Sequence, residues 1–260
     1  MGALTAGIDI GSVAVKSVLY MDGSVRAHAI APTGWNPGDS GSRILDEMLR
    51  GEGVSQCDLA CIVTTGYGRN TIREGFPVTE ITCHAAGASH LFPDARMVLD
   101  IGGQDSKAIR IGPGGAVLDF LMNDKCAAGT GRFLQNMAVL LEYGMEDFSS
   151  LPDDADPHAI SNMCTVFAET EVIGLLARGV DKTSLALGLL DSVAARAEGL
   201  IRKLGGDGPI AFTGGLSGSR NLKLILERKT GAQVLTNDLS QFAGAIGAAV
   251  IAMKKAVKQG

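Results

Sequence analysis

Basic residues never gather in this chain. Its 23 lysines and arginines are scattered among 28 acidic residues and leave a net charge of -5. Nucleic acids and anionic membrane surfaces are held by basic patches, so neither is an expected partner. Long apolar runs are missing as well: no stretch approaches the ~20 residues of a membrane-spanning helix. The N-terminus runs straight into a strand-like segment, without the basic start and apolar run of a secretory signal. The expected location is cytoplasmic. Cysteine is scarce and odd in number, with five residues in a chain of 260. That excludes the disulfide framework of a small secreted domain and leaves the question of which thiols bind metal. No glycine-rich loop ends in Lys-Ser or Lys-Thr, so a Walker-type nucleotide site is excluded.

What is present is an ordinary globular composition, 46% hydrophobic and 20% charged, with 35 glycines for tight turns. The length allows one large or two small domains. Ala6–Ile10 and Val13–Tyr20 read as a hairpin around Gly11-Ser12, and Asp22-Gly23 leads into a third strand, Val25–Ile30. Leu59–Thr64, Arg96–Ile101, Lys107–Ile111, Ala116–Asn123, Ile210–Thr213 and Ala232–Leu235 read as further strands. Helices are expected over Ser42–Arg50, Thr79–Leu91, Gly131–Leu141, Thr165–Gly179, Ser184–Leu204, Leu222–Thr230 and Phe242–Val257. The last is rich in Ala and Gly and suited to very close packing. Glu146–His158, acidic and proline-containing, reads as a surface loop.

Asp9-Ile10-Gly11 recurs as Asp100-Ile101-Gly102, each copy ending one apolar strand and preceding another. This internal duplication implies two related halves. Three glycine-rich segments are candidate sites. Asp9-Ile10-Gly11-Ser12 with Lys16 offers backbone N–H groups to phosphate and a carboxylate to Mg2+, although a plain hairpin turn accounts for it equally. Asp100–Lys107 packs Gly102, Gly103, Gln104 and two carboxylates into one turn, more polar chemistry than a hairpin needs. Phe212–Gly218 runs a strand into Gly214-Gly215, where a flat ligand could approach, or where a helix simply begins.

Cys126 and Cys164 each stand just before an expected helix. Helix N-termini favour thiolates and anionic clusters, although a small buried hydrophobe is the other reading of each cysteine. Two thiolates cannot complete a four-cysteine [4Fe-4S] cluster, whereas a two-fold axis lets two identical chains supply two each. Cys57 and Cys61 have no matching partner pair and read as incidental thiols. Cys83 and His84 read as packing or cleft-lining residues on the helix that begins near Glu80. His28, His90 and His158 carry no signal.

The order of the three glycine segments resembles the phosphate 1, phosphate 2 and adenosine motifs of the actin-like ATPase superfamily. The resemblance implies an α/β chain of two ribonuclease-H-like lobes with a nucleotide cleft between them, one formed by 1–92 with a C-terminal helix at 240–260, the other by 93–239. It implies that Asp9 and Asp100 organise Mg2+ and the attacking water, with Gln104 and Glu80 as weaker candidates for placing that water. Gly11, Ser12, Lys16, Gly102 and Gly103 would hold the phosphates of ATP or ADP, and Gly214 and Gly215 the adenosine. More narrowly, Thr64–Arg69, Asp100–Lys107, Asn123–Phe133 and Cys164–Ile173 resemble activators of 2-hydroxyacyl-CoA dehydratases, of the BadF/BadG/BcrA/BcrD type. That likeness implies a homodimer of anaerobic metabolism with Cys126 and Cys164 holding one shared [4Fe-4S] cluster. Electrons would arrive from ferredoxin or flavodoxin and pass, driven by ATP, to a dehydratase component. The alternatives are the ATPase subunit of a benzoyl-CoA-type reductase, a sugar kinase of the same superfamily, and a chaperone-like nucleotide-gated binding module.

Overall fold

The computed structural model describes residues 2–152, 155–161 and 164–259. Asn162 and Met163, from the expected context of Cys164, and Asp153 and Asp154, from the acidic segment, lie outside the described residues. The chain divides into two compact units: Met1–Ala95 with Ile111–Leu118 and Leu239–Gly260, and Arg96–Arg110 with Asp119–Asp238.

The first unit holds β1 (Leu4–Ile10), β2 (Ala14–Met21), β3 (Ser24–Pro32), α1 (Pro37–Gly51), β4 (Leu59–Thr65), β5 (Phe76–Pro77), α2 (Glu80–Leu91) and, at the far end of the chain, α8 (Ala243–Gln259). Its sheet runs β3-β2-β1-β4-β5, with β1 antiparallel to β2 and parallel to β4. Alternation along β1 divides the packing between two faces. Ile8 and Ile10 join Ile44, Leu45 and Leu49 of α1 in one core. On the other face the Thr5 hydroxyl donates to the Ala249 carbonyl of α8 at 3.2 Å, and Gly7 leaves no room for a Cβ between β1 and the backbone of that helix. The small residues of α8 thus serve the close packing the sequence suggests. Gly87 of α2 and Gly247 of α8 meet backbone to backbone, and a Cβ on either would overlap the facing chain.

The second unit holds β6 (Met97–Ile101), β7 (Ser106–Ile111), β8 (Val117–Asn123), α3 (Gly131–Leu140), α4 (Met145–Ser149), α5 (Thr165–Ala177), α6 (Lys182–Leu204), β9 (Ile210–Gly214), α7 (Arg220–Thr230) and β10 (Val234–Leu235). The tip of the β7–β8 hairpin groups with the first unit, where Gly115 approaches the Ala85 carbonyl of α2. The second sheet, β10-β9-β6-β7-β8, repeats the first: β6 is antiparallel to β7 and parallel to β9. Leu99, Ile101, Phe133, Leu134, Val172, Leu190 and Phe212 anchor its core. One expectation is corrected. The acidic segment is not loop throughout, because Met145–Ser149 is helical and Phe148 and Leu151 are buried in the core. Two well-spaced apolar residues outweighed the surrounding charge. Among the described residues, no helix is long and apolar enough to cross a membrane.

Candidate functional site

The duplication reaches further than the repeated Asp-Ile-Gly. In the first sheet Asp9 stands opposite Lys16 of β2 and Thr65 of β4. In the second, Asp100 stands opposite Lys107 of β7 and Thr213 of β9. The glycines after those threonines match as well. Gly66 and Gly214 have φ of 89° and 87°, a left-handed conformation that glycine adopts without strain. A Cβ at either would lie 2.7 Å from the neighbouring aspartate Oδ1. Each unit therefore presents an aspartate at a strand end, a lysine and a threonine across the ladder, and a glycine closing over the carboxylate. The sequence reading found the aspartates. It held Thr65-Gly66 only within the stretch Thr64–Arg69 and did not pair it with Thr213-Gly214, because a two-residue match carries no signal until register aligns it.

The two carboxylates differ in what satisfies them. Asp9 is 5% exposed and its Oδ1 has no hydrogen-bond partner. Its Oδ2 lies beside Gly244 of α8, where a Cβ would sit 2.8 Å from Oδ2 and 2.9 Å from Nε2 of His84. A buried carboxylate oxygen without a partner is costly unless a cation completes it, so Asp9 fits Mg2+ by the chemistry and state of its own atoms. The adjoining turn is firm. The Gly11 N–H donates to the Ala14 carbonyl at 3.1 Å, and the Thr33 hydroxyl donates to the Gly11 carbonyl at 2.7 Å. Ser12 and Lys16 are half-buried, and Glu80 opens α2 directly after its Thr79 cap. Cys83, one turn in from that cap, is fully buried. Burial pushes its thiol up to about 12, with the charges of Asp9 and Glu80 adding to the shift, so it stays protonated.

Asp100 is satisfied inside the chain. Its Oδ2 lies 3.4 Å from the Lys107 ammonium, and its Oδ1 accepts from the Thr213 hydroxyl at 3.1 Å. Lys107, only 1% exposed, reaches Asp105 at 2.8 Å as well. Gln104 is exposed at the tip of this turn. The carbonyls of Gly102 and Gly103 accept from the first N–H groups of α3, those of Gly131 and Arg132, at 2.8 and 3.1 Å. The turn is thereby fastened to α3, the helix that follows Cys126. Gly215 is exposed with open space where a Cβ would project, which leaves that face to a ligand.

Cys126 and Cys164 are both exposed. Cys126 sits in the loop between β8 and α3, its carbonyl accepting from the Asn123 side chain at 3.3 Å. Cys164 is the N-terminal cap position of α5, and the Ser161 N–H and hydroxyl, just upstream, donate to Glu171 of that helix at 2.9 and 2.7 Å. Among the described residues no three potential metal-ligating side chains converge. The thiols are soft, accessible donors of the kind iron–sulfur clusters use, in a number that makes half a ligand set. Cys57 is exposed in a short turn and Cys61 is half-buried on β4.

Known proteins align along nearly the whole chain. The uncharacterized protein YjiL of Escherichia coli is 43% identical over 97% of this chain and 98% of its own length. The (R)-2-hydroxyglutaryl-CoA dehydratase activating ATPase of Acidaminococcus fermentans is 42% identical over 99% of this chain and all of its own. The crystal structure of component A of that organism's dehydratase superposes with a TM-score of 0.94, covering 98% of this chain and 99% of the other at 40% identity. A ROK family glucokinase from Streptomyces griseus, 17% identical over 99% of this chain and all of that one, shares the fold alone with a TM-score of 0.58. The BadF/BadG/BcrA/BcrD ATPase family model matches residues 6–252, and the chain is a member of that family of ATP-hydrolysing proteins.

Proposed function

We propose that this ATPase activates a 2-hydroxyacyl-CoA dehydratase by ATP-driven electron transfer, working in the cytoplasm as a homodimer. The observation that carries the reading is the pair of exposed thiols at Cys126 and Cys164, together with the fastening of the Cys126 loop to a phosphate-type turn. Full-length similarity to a named dehydratase activator supports it.

In the nucleotide reaction, Gly11 and Gly102 close the two turns through their own N–H bonds to the Ala14 and Asp105 carbonyls, the backbone N–H groups of Ser12 and Gly103 hold phosphate oxygens, with Lys16 adding charge, and Gly214 and Gly215 admit the adenosine. Asp9, whose buried Oδ1 has no partner in the chain, would hold the Mg2+ that accompanies ATP, directly or through water. Asp100 is held at its strand end by Lys107 and Thr213, from where it can orient water as a general base, with Gln104 and Glu80 as further polar groups. Cys126 and Cys164, paired with their counterparts in a second copy, would hold a [4Fe-4S] cluster. Such a cluster supplies one-electron transfer, fed by ferredoxin or flavodoxin and directed to the dehydratase component. The bonds from Gly131 and Arg132 to Gly102 and Gly103 let a phosphate-dependent change in the turn move α3 and, with it, the Cys126 loop.

The test is oxygen-free purification with iron, acid-labile sulfide and native mass measured together. The expected result is a brown dimer with about four irons per two chains. Cys126→Ser and Cys164→Ser should each lose iron while keeping ATP binding. A colourless, iron-poor monomer that phosphorylates a small metabolite sinks the proposal.

A further inference from the structure

Arg196 lies in the middle of α6, far in sequence from any glycine turn or cysteine. Its side-chain stem nevertheless packs against the Cys126 loop. Gly129, three residues after the cysteine, comes so close that a Cβ there would sit 3.0 Å from Cδ of Arg196 and 3.7 Å from its Cβ. The φ of Gly129 is 152°, so the loop both needs glycine for its backbone and uses the missing side chain to settle onto the arginine. The guanidinium is held in place from its own helix, Nη1 donating to the Ser192 carbonyl at 3.0 Å. It is half-buried, and desolvation lowers its pKa. Lys125, adjacent to the cysteine, is exposed and therefore screened by water.

We propose that Arg196 is a positioning residue for the electron-transfer centre: its fixed, partly desolvated positive charge sets the reduction potential on the Cys126 side. The proposal rests on the reading of Cys126 as a cluster ligand. A four-thiolate [4Fe-4S] centre gains one negative charge when it takes an electron from a low-potential donor of the ferredoxin or flavodoxin class. It returns to its starting charge when the electron passes on, and no bond or proton changes at the arginine. A nearby cation stabilises the more negative state and so raises the potential. A two-fold dimer places one such arginine beside each Cys126, so the effect acts twice on one cluster.

The experiment is anaerobic redox titration of the holoprotein dimer, monitored by absorbance and by the EPR signal of the reduced state, for the wild type, Arg196→Gln and Arg196→Lys. Iron and sulfide are measured on every sample. The expected result is full iron in all three, a midpoint shifted to more negative potential in R196Q, and a value near wild type in R196K. Gly129→Ala, whose methyl would press on the Arg196 stem at Cδ and displace the side chain, should shift the midpoint in the same direction as R196Q. Equal midpoints for wild type and R196Q with the cluster intact overturn the inference and leave the activator reading standing. Loss of iron in both R196Q and R196K while circular dichroism stays native also overturns it, because the residue is then needed for assembly whatever its charge. A wild-type protein without iron removes the activator reading itself.

Discussion

Asp9 and Asp100 occupy equivalent positions, and the difference between their surroundings decides what each can do. Asp100 has a lysine and a threonine on its two oxygens, whereas Asp9 has a buried oxygen with nothing on it. The first is built like a structural ion pair with a polar turn attached, the second like half of a cation site. Asn substitutions should therefore separate them. Asp9→Asn removes a buried, uncompensated charge, so thermal stability is expected to hold or rise, while ATP turnover falls about 100-fold or more with the loss of Mg2+ positioning. Asp100→Asn takes one carboxylate from the buried Lys107 ammonium, and is expected to lower stability by about 3 kcal/mol as well as activity. Urea melts alongside steady-state ATPase rates give both numbers, and equal destabilisation by the two changes contradicts the distinction. The sequence displayed both aspartates, but it could not show this asymmetry. Lys16 and Lys107 each follow their aspartate by seven positions, and only packing reveals that one is half-buried while the other is sealed in.

Among the elements, α2 and α8 set the position of Asp9, because Gly244 of α8 borders its carboxylate and Gly87 and Gly247 let the two helices touch through backbone. Alanine for glycine within a helix ordinarily stabilises by up to about 1 kcal/mol. At Gly199 of α6, where nothing stands within 4 Å of the added methyl, that gain is expected. At Gly247 the methyl would overlap the Cys83 carbonyl, so the sign should reverse, with a loss of about 1–3 kcal/mol or more and a fall in ATPase as Asp9 shifts. Denaturant titration of G199A and G247A side by side measures this, and equal stabilities would exclude a tight crossing. Most strands and helices were legible because their periodicity is strong and turn residues bound them. The acidic segment misled because charge and proline dominate its composition while Phe148 and Leu151 alone decide its packing. The second half of the duplication stayed hidden for a different reason: Thr65-Gly66 and Thr213-Gly214 align through ladder register, which a single chain of letters does not contain.

At the scale of the whole molecule, α5 is an element that a lone chain leaves unexplained. Ala168, Val172 and Leu175 bury one side of it in the second core, yet Val166, Phe167 and Ile173 are 68%, 62% and 50% exposed. A helix that is apolar on both sides belongs between two bodies, and this one begins at Cys164. If two copies share one cluster at their thiols, the interface must start there, and the exposed side of α5 is the apolar surface nearest to it in the chain. A stable dimer buries about 800 Å2 on each partner, centred on a few large side chains. Phe167→Asp is then expected to yield monomers in native mass spectrometry at concentrations where the wild type is dimeric. Iron should fall with the dimer, since neither half-site can hold a cluster alone, while ATP binding and melting temperature stay near wild type because Phe167 contributes nothing to the core of its own chain. Iron chelation of the wild type under reducing conditions supplies the reciprocal arm, with monomers appearing as metal leaves. Should F167D remain a dimer with full iron, α5 is not the joint, and the two exposed cysteines must meet their counterparts across some other surface.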